Sequence, residues 1–254
     1  MNGFNTQDVG LAREVQQLLF PKGSPLCTWC CMGVKNRMAQ GLGGDYFEFI
    51  TLPDGCQVVF IGDVTGHGLH ASLVMALLYG FIHEATSRKC DPLHTVTEVN
   101  RFLQTFAKRS DKYDHYFTTT LFCSIIDPRT LSMHYVNAGH VAPMVRRGKS
   151  ITYLAPTAQP LGFFDEPELG VKSFNFEKGD RLILYTDGIT ETFDDQGHIF
   201  GHGRLEKVLL AHEGDHEKFL EDLFEEIQTF SAIDPPEDDC TAIVIDLHGP
   251  FTNA

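Results

Sequence analysis

Little in this chain is basic: 20 Lys and Arg stand against 34 Asp and Glu, a formal net charge of −14. That balance excludes a general nucleic-acid or anionic-membrane binder, which needs a cationic face. Long apolar runs are missing too. The longest stay under about a dozen residues, short of the roughly 20 that cross a bilayer as a helix, so no membrane span is expected. The N-terminus MNGFNTQDVGLAREV lacks the basic-then-apolar order of a secretory signal, and the expected location is the cytoplasm. Cysteine is sparse and odd in number, seven with no regular framework, so reduced thiols are expected. Cys27, Cys30 and Cys31 cluster, yet no second Cys pair or nearby His pair accompanies them as a structural zinc site requires. They read as small apolar residues on a strand. No glycine loop of the nucleotide-cradling type occurs, and there are no internal repeats or low-complexity tracts.

What remains is an ordinary globular composition, 43% hydrophobic and 21% charged, with length enough for one well-buried domain. Val9, Leu11, Ala12, Val15, Leu18 and Leu19 recur at helical spacing until Pro21 stops the pattern. This first helix reads as a packed helix or a connector over residues 1–24, ahead of a main domain over 25–254, and pairing with its twin in a homodimer is a further role for it. Strands are expected at Leu26–Met38, around Phe47–Phe49, at Val58–Ile61, Thr118–Asp127, Leu131–Val136, Ala142–Arg146, Ile151–Leu154, Val171–Phe176, Arg181–Tyr185 and Thr241–Leu247. Helices are expected at Leu69–Ser87, apolar nearly all round as in a helix buried between layers, then at Pro92–Lys108 with Asp91 as N-cap, Gly203–Leu210 and Glu217–Phe230. The order predicts an α+β layered fold, sheets inside and helices outside.

Four aspartates share one context, a strand terminus beside Gly or another acid. Asp45 follows Gly43-Gly44 and opens Tyr46-Phe47. Asp63 ends the run Val58-Val59-Phe60-Ile61 and precedes a glycine-rich turn. Asp187 follows Leu182-Ile183-Leu184-Tyr185, and Asp238 precedes the last strand. A buried carboxylate is costly without a positive partner, and an all-oxygen set suits Mg²⁺ or Mn²⁺. Two such ions would activate water and stabilise displacement at phosphorus, with no Ser, Cys or His nucleophile. Any one of these aspartates also fits a turn or cap, and spacing alone does not make four turns converge.

LGGDYFEF, IGDVTGHGLHASLVM, YVNAGHVAP, QPLGFF, LYTDGITE and EDDCTAIVIDL resemble, in this order, the motifs of PPM-type metal-dependent serine/threonine phosphatases. They are most similar to the bacterial SpoIIE-like branch, which includes stress-response regulators. The resemblance runs from about Pro25 to Leu247. It implies a central antiparallel β-sandwich flanked by helices on both sides, and two metal ions. Asp63 would bridge both ions, the Val64 carbonyl would bind one, and Asp187 and Asp238 would hold the other. Asp45 would bind metal or metal-bound water, and Asp239 would sit beside the ligand Asp238, holding an extra ion or water. His67 is a candidate contact to phosphate or leaving group, and His70 falls where this branch often has proline. Asn137 and His140 fit a buried turn, and Arg37 lies near a phosphate-binding position that the branch usually lacks. The implied substrate is a phosphorylated STAS-domain protein of a partner switch. A non-catalytic interaction module of the same fold is the alternative.

Overall fold

The computed structural model describes residues 6–21, 27–39, 41–88, 91–109, 112, 117–231 and 236–250. In chain order its elements are α1 (Thr6–Leu19), β1 (Cys30–Arg37), β2 (Tyr46–Thr51), β3 (Gln57–Val64), α2 (Leu69–Arg88), α3 (Pro92–Ala107), β4 (Thr119–Asp127), β5 (Ser132–Ala138), β6 (Met144–Arg147), β7 (Ser150–Tyr153), β8 (Lys172–Asn175), β9 (Arg181–Tyr185), α4 (Asp187–Thr190), α5 (Gly201–Ala211), α6 (His216–Ser231) and β10 (Cys240–Leu247). The strands form two five-stranded sheets, ordered β1-β10-β9-β6-β7 and β2-β3-β4-β5-β8. All their pairings are antiparallel.

The apolar runs are continuous because both faces of each sheet are covered. Side chains alternate across a strand. In β3, Val59 and Ile61 face the other sheet, while Val58, Phe60 and Val64 face helices α2 and α3. In β10, Ile243, Ile245 and Leu247 enter the inter-sheet core, while Ala242 and Val244 meet α5 and α6. The result is four layers, helix–sheet–sheet–helix, as the resemblance implies. Each fully buried Ile, Leu or Phe stabilises by about 1.5–3 kcal/mol, so the inter-sheet layer holds the sandwich shut. Asp91 caps α3 as expected, accepting from the backbone N–H of Leu93 at 3.0 Å and of His94 at 3.4 Å, with Pro92 in the first turn.

Two expectations need correction. The helix α2 is not buried between layers: Ala71, Met75, Leu78 and Ile82 pack on the sheet, but Leu73 is 60% exposed and Leu77 48%. Among the described residues its outer side meets α1 in part and is otherwise open. The first strand is also shorter than expected. Residues 22–26 and Gln40 lie outside the described residues, and so does the expected boundary at 24/25.

Candidate active site

Strand register brings the acids together at one end of the sandwich. Tyr46 pairs with Gly62 across β2–β3, which sets Asp45 opposite Asp63. In the other sheet Tyr185 pairs with Ala242, and the Thr186 N–H donates to the Thr241 carbonyl at 3.0 Å, setting Asp187 beside Asp238 and Asp239. Asp45 joins the two sheets. Its buried Oδ2 accepts from the Thr186 hydroxyl at 2.9 Å and from the Thr241 hydroxyl, while the Thr241 N–H donates to Thr186 Oγ1 at 3.0 Å.

Asp239 is buried and fully engaged: Oδ1 accepts the Ala39 N–H and Oδ2 the Gly44 N–H, both at 2.8 Å. Asp238 is exposed and accepts only the Asp239 N–H, at 2.8 Å, among described hydrogen bonds. Asp63 and Asp187 are half-buried between them.

These carboxylates crowd one another. Burial, then Asp63 and Asp239, holds the Asp45 carboxyl well above its ordinary range against the pull of the two threonine hydroxyls. Burial, then Asp187, Asp238 and Asp239, does the same for Asp63. Asp187 is raised by burial, Asp238 and Glu191, and Asp239 by burial and then Asp238, in spite of backbone donors from Ala39, Gly44 and Asp45. No cation figures among the main influences on any of them. Their mutual repulsion marks a site built for positive charge supplied from outside.

Room for a ligand is set by glycine. A Cβ on Gly44 would lie 2.9 Å from Asp63 Oδ1 and 3.0 Å from the Val64 carbonyl oxygen, so both oxygens point at the space beside a bare Cα. A Cβ on Gly188 would meet the Asp239 carbonyl oxygen at 2.2 Å, so the turn after Asp187 can close on the acid pair only without a side chain. The carboxylates of Asp63 and Asp187 accept only nearby backbone N–H groups and that of Asp238 only the Asp239 N–H among described hydrogen bonds, and with the Val64 carbonyl they make a hard-donor set that fits Mg²⁺ or Mn²⁺. Among the described residues no three His, Cys, Asp or Glu side chains are drawn around one point. Beside Asp238 opens a cleft of about 230 Å³, lined also by Gly188, Glu191, Thr192, Phe193, Ser231 and Glu237. Two larger hollows around Phe164–Gly170, of about 850 and 660 Å³, are lined by none of these aspartates.

The family model described as Stage II sporulation protein E (SpoIIE) matches residues 53–248. The chain belongs to the SpoIIE family. Phosphoserine phosphatase RsbU of Bacillus subtilis is 24% identical over 207 residues, 81% of this chain and 59% of that protein. The matches to the first curated relatives take in only 37% to 59% of their length. Among solved structures, the SiaA-PP2C domain of Pseudomonas aeruginosa superposes with a TM-score of 0.81 at 16% identity, covering 97% of this chain and 96% of that one. RsbX, solved in complex with magnesium, gives a TM-score of 0.66 at 15% identity, covering 88% of this chain and 98% of that one. The fold of this SpoIIE-family chain is therefore that of the PP2C phosphatases.

Several residues that shape the acidic cluster were not foreseen from the sequence. Thr186 and Thr241 anchor Asp45, and both lie within quoted motifs, TDG and CTAIVIDL. Gln16 is the less expected one. Buried at 4% exposure, it grips Gly43 from both sides: Nε2 donates to the Gly43 carbonyl at 2.8 Å, and Oε1 accepts the Gly43 N–H at 3.1 Å. The first helix thus holds the loop that carries Gly44 and Asp45. His67 is exposed in the glycine turn. His140 is buried, its Nδ1 2.9 Å from Thr120 Oγ1 and its backbone N–H donating to Asn137 Oδ1 at 2.9 Å, the turn role expected of the NAGH loop.

Proposed function

We propose that this chain is a divalent-metal-dependent phosphoprotein phosphatase acting on phosphoserine or phosphothreonine. The observation that carries the reading is the crowding of Asp63, Asp187 and Asp238 at one end of the sandwich, with Asp63 Oδ1 and the Val64 carbonyl oxygen beside the bare Cα of Gly44. Asp63, the Val64 carbonyl, Asp187 and Asp238 would hold the ions. When bound, Mg²⁺ or Mn²⁺ neutralises phosphate charge and lowers the pKa of the attacking water. Asp45 keeps Oδ1 free of described hydrogen bonds while Oδ2 is held by Thr186 and Thr241, and Oδ1 would hold a proton of that water. Asp239 acts through position, clamping Ala39 and Gly44 so that Asp45 and Asp63 keep their separation. The cleft beside Asp238 admits the phosphorylated segment. Magnesium in RsbX supports the ion class, and the phosphoserine phosphatase RsbU supports the reaction.

The substrate we favour is a small serine-phosphorylated STAS-domain protein of a partner switch. Turnover of an unrelated phosphoprotein in preference to such a protein would overturn that choice. A second copy of the chain is the proposed partner of α1, whose Leu11 and Leu18 are 62% and 65% exposed. Deleting residues 1–20 should then abolish the dimer in sedimentation, and an unchanged dimer would contradict it. Calorimetric titration tests the metal site itself. Mn²⁺ should bind the wild type and fail to bind Asp63→Asn, whereas no heat with the folded wild type would favour the interaction-module alternative.

A further inference from the structure

The three clustered cysteines do not share one environment. Cys30 and Cys31 open β1 on opposite faces, whereas Cys27 precedes the strand. Cys30 is buried at 1% exposure in the inter-sheet core, and Cys27 is half-buried on its rim, where Phe20 also packs. The Cys27 sulfur lies 2.6 Å from the Cys30 sulfur and 2.9 Å from the Cys30 carbonyl oxygen. That sulfur pair sits well inside the roughly 3.5–4.0 Å at which even the smaller carbon atoms rest against each other. Around it the chain is fixed: the Trp29 carbonyl accepts the His248 N–H at 2.8 Å, and Phe20 stacks on Phe47 at 4.6 Å between centroids. The two thiols also differ in character. The hydrogen bond from Cys30 holds the Cys27 thiol below its ordinary value, while Cys30 is pushed far up by the same bond and by burial.

We propose that Cys27 and Cys30 are a reversible dithiol–disulfide pair, a modification site at the entry to β1 outside the metal site. The loop Cys27-Thr28-Trp29-Cys30 is too short to contribute much by restricting the unfolded chain. It therefore belongs with labile, redox-responsive disulfides, the kind found in reducing compartments. The oxidant is a low-molecular-weight disulfide. The accessible Cys27 thiolate attacks one of its sulfurs, breaking that S–S bond and forming a mixed disulfide, and the displaced thiolate takes up the proton Cys27 lost. Cys30 then gives up its proton, attacks the Cys27 sulfur and expels the second small thiolate, which takes that proton. Two protein thiols are oxidised by two electrons, and one small disulfide is reduced to two thiols.

The test uses the full chain in glutathione buffers of rising oxidised fraction, quenched with acid, alkylated with N-ethylmaleimide and digested. In the peptide bearing Cys27, Cys30 and Cys31, the expected result is loss of two alkylations with a mass lower by two hydrogens, leaving the label on Cys31, and full reversal by dithiothreitol. Cys31→Ser should still form the disulfide, and Cys30→Ala should stall with glutathione on Cys27. Three alkylated thiols at every buffer ratio would overturn the proposal. So would a disulfide that uses Cys31, or glutathione retained on Cys27 of the wild type. The wild-type masses decide the matter even where a variant fails to fold.

Discussion

A Cβ placed on Gly44 would lie 2.9 Å from Asp63 Oδ1 and 3.0 Å from the Val64 carbonyl oxygen, the two oxygens assigned to the metal. Gly44→Ala should therefore lower kcat by about 10²-fold, the scale on which roughly 1 Å of misplacement acts in an active site. The unfolding midpoint should shift little by comparison, since no core side chain is removed. Activity within twofold of wild type would show that the gap is not used. His140 offers a different readout. Burial depresses its pKa to about 4 from 6.5, so the unfolded chain takes up a proton that the folded chain refuses. The stability this contributes is present above pH 6.5 and lost as pH falls toward 4, amounting to about 3 kcal/mol when complete. Urea unfolding across that range should show the loss in the wild type and a flatter profile in His140→Gln. Equal slopes would mean that His140 titrates freely.

At the scale of elements, the helices and strands were legible because each is written in local pattern. The span Arg181–Tyr185 and the cap at Asp91 could be read residue by residue, and the edges of β3, β4 and α3 to within a few positions. The one-turn helix α4 was not, because TDGIT reads equally as a turn. Nor was the exposed side of α2: an apolar sequence does not say whether its second face is covered. Asp45, Asp63, Asp187 and Asp238 were visible as strand-end acids, but their convergence rests on contacts between remote segments. The Asp239–Gly44 bond spans 195 residues and the Gln16–Gly43 pair 27. No spacing encodes such contacts, and recognition of the motifs supplied what periodicity could not. Gln16 makes the α1 contact testable. Gln16→Ala should reduce kcat by about tenfold while leaving the circular dichroism spectrum unchanged, and Gln16→Glu should not restore it, since a carboxylate cannot donate to the Gly43 carbonyl. Unaltered kcat in Gln16→Ala would confine α1 to packing.

Across the whole molecule, the two sheets meet the site as two halves. The β2–β3 hairpin brings Asp45, Asp63 and Val64, and the ends of β9 and β10 bring Asp187, Asp238 and Asp239. The threonine hydroxyls on Asp45 tie the halves together. The chain belongs to the SpoIIE family and has the PP2C fold, and cations bound at the proposed site would balance part of the net charge of −14. The most direct measurement is phosphate release from a serine-phosphorylated STAS-domain protein after chelation, followed by stepwise return of Mn²⁺ or Mg²⁺. Release should be absent in chelator, rise saturably with the ion, and be lost in Asp63→Ala and Asp187→Ala. Undiminished release in chelator, or from either variant, would contradict the account.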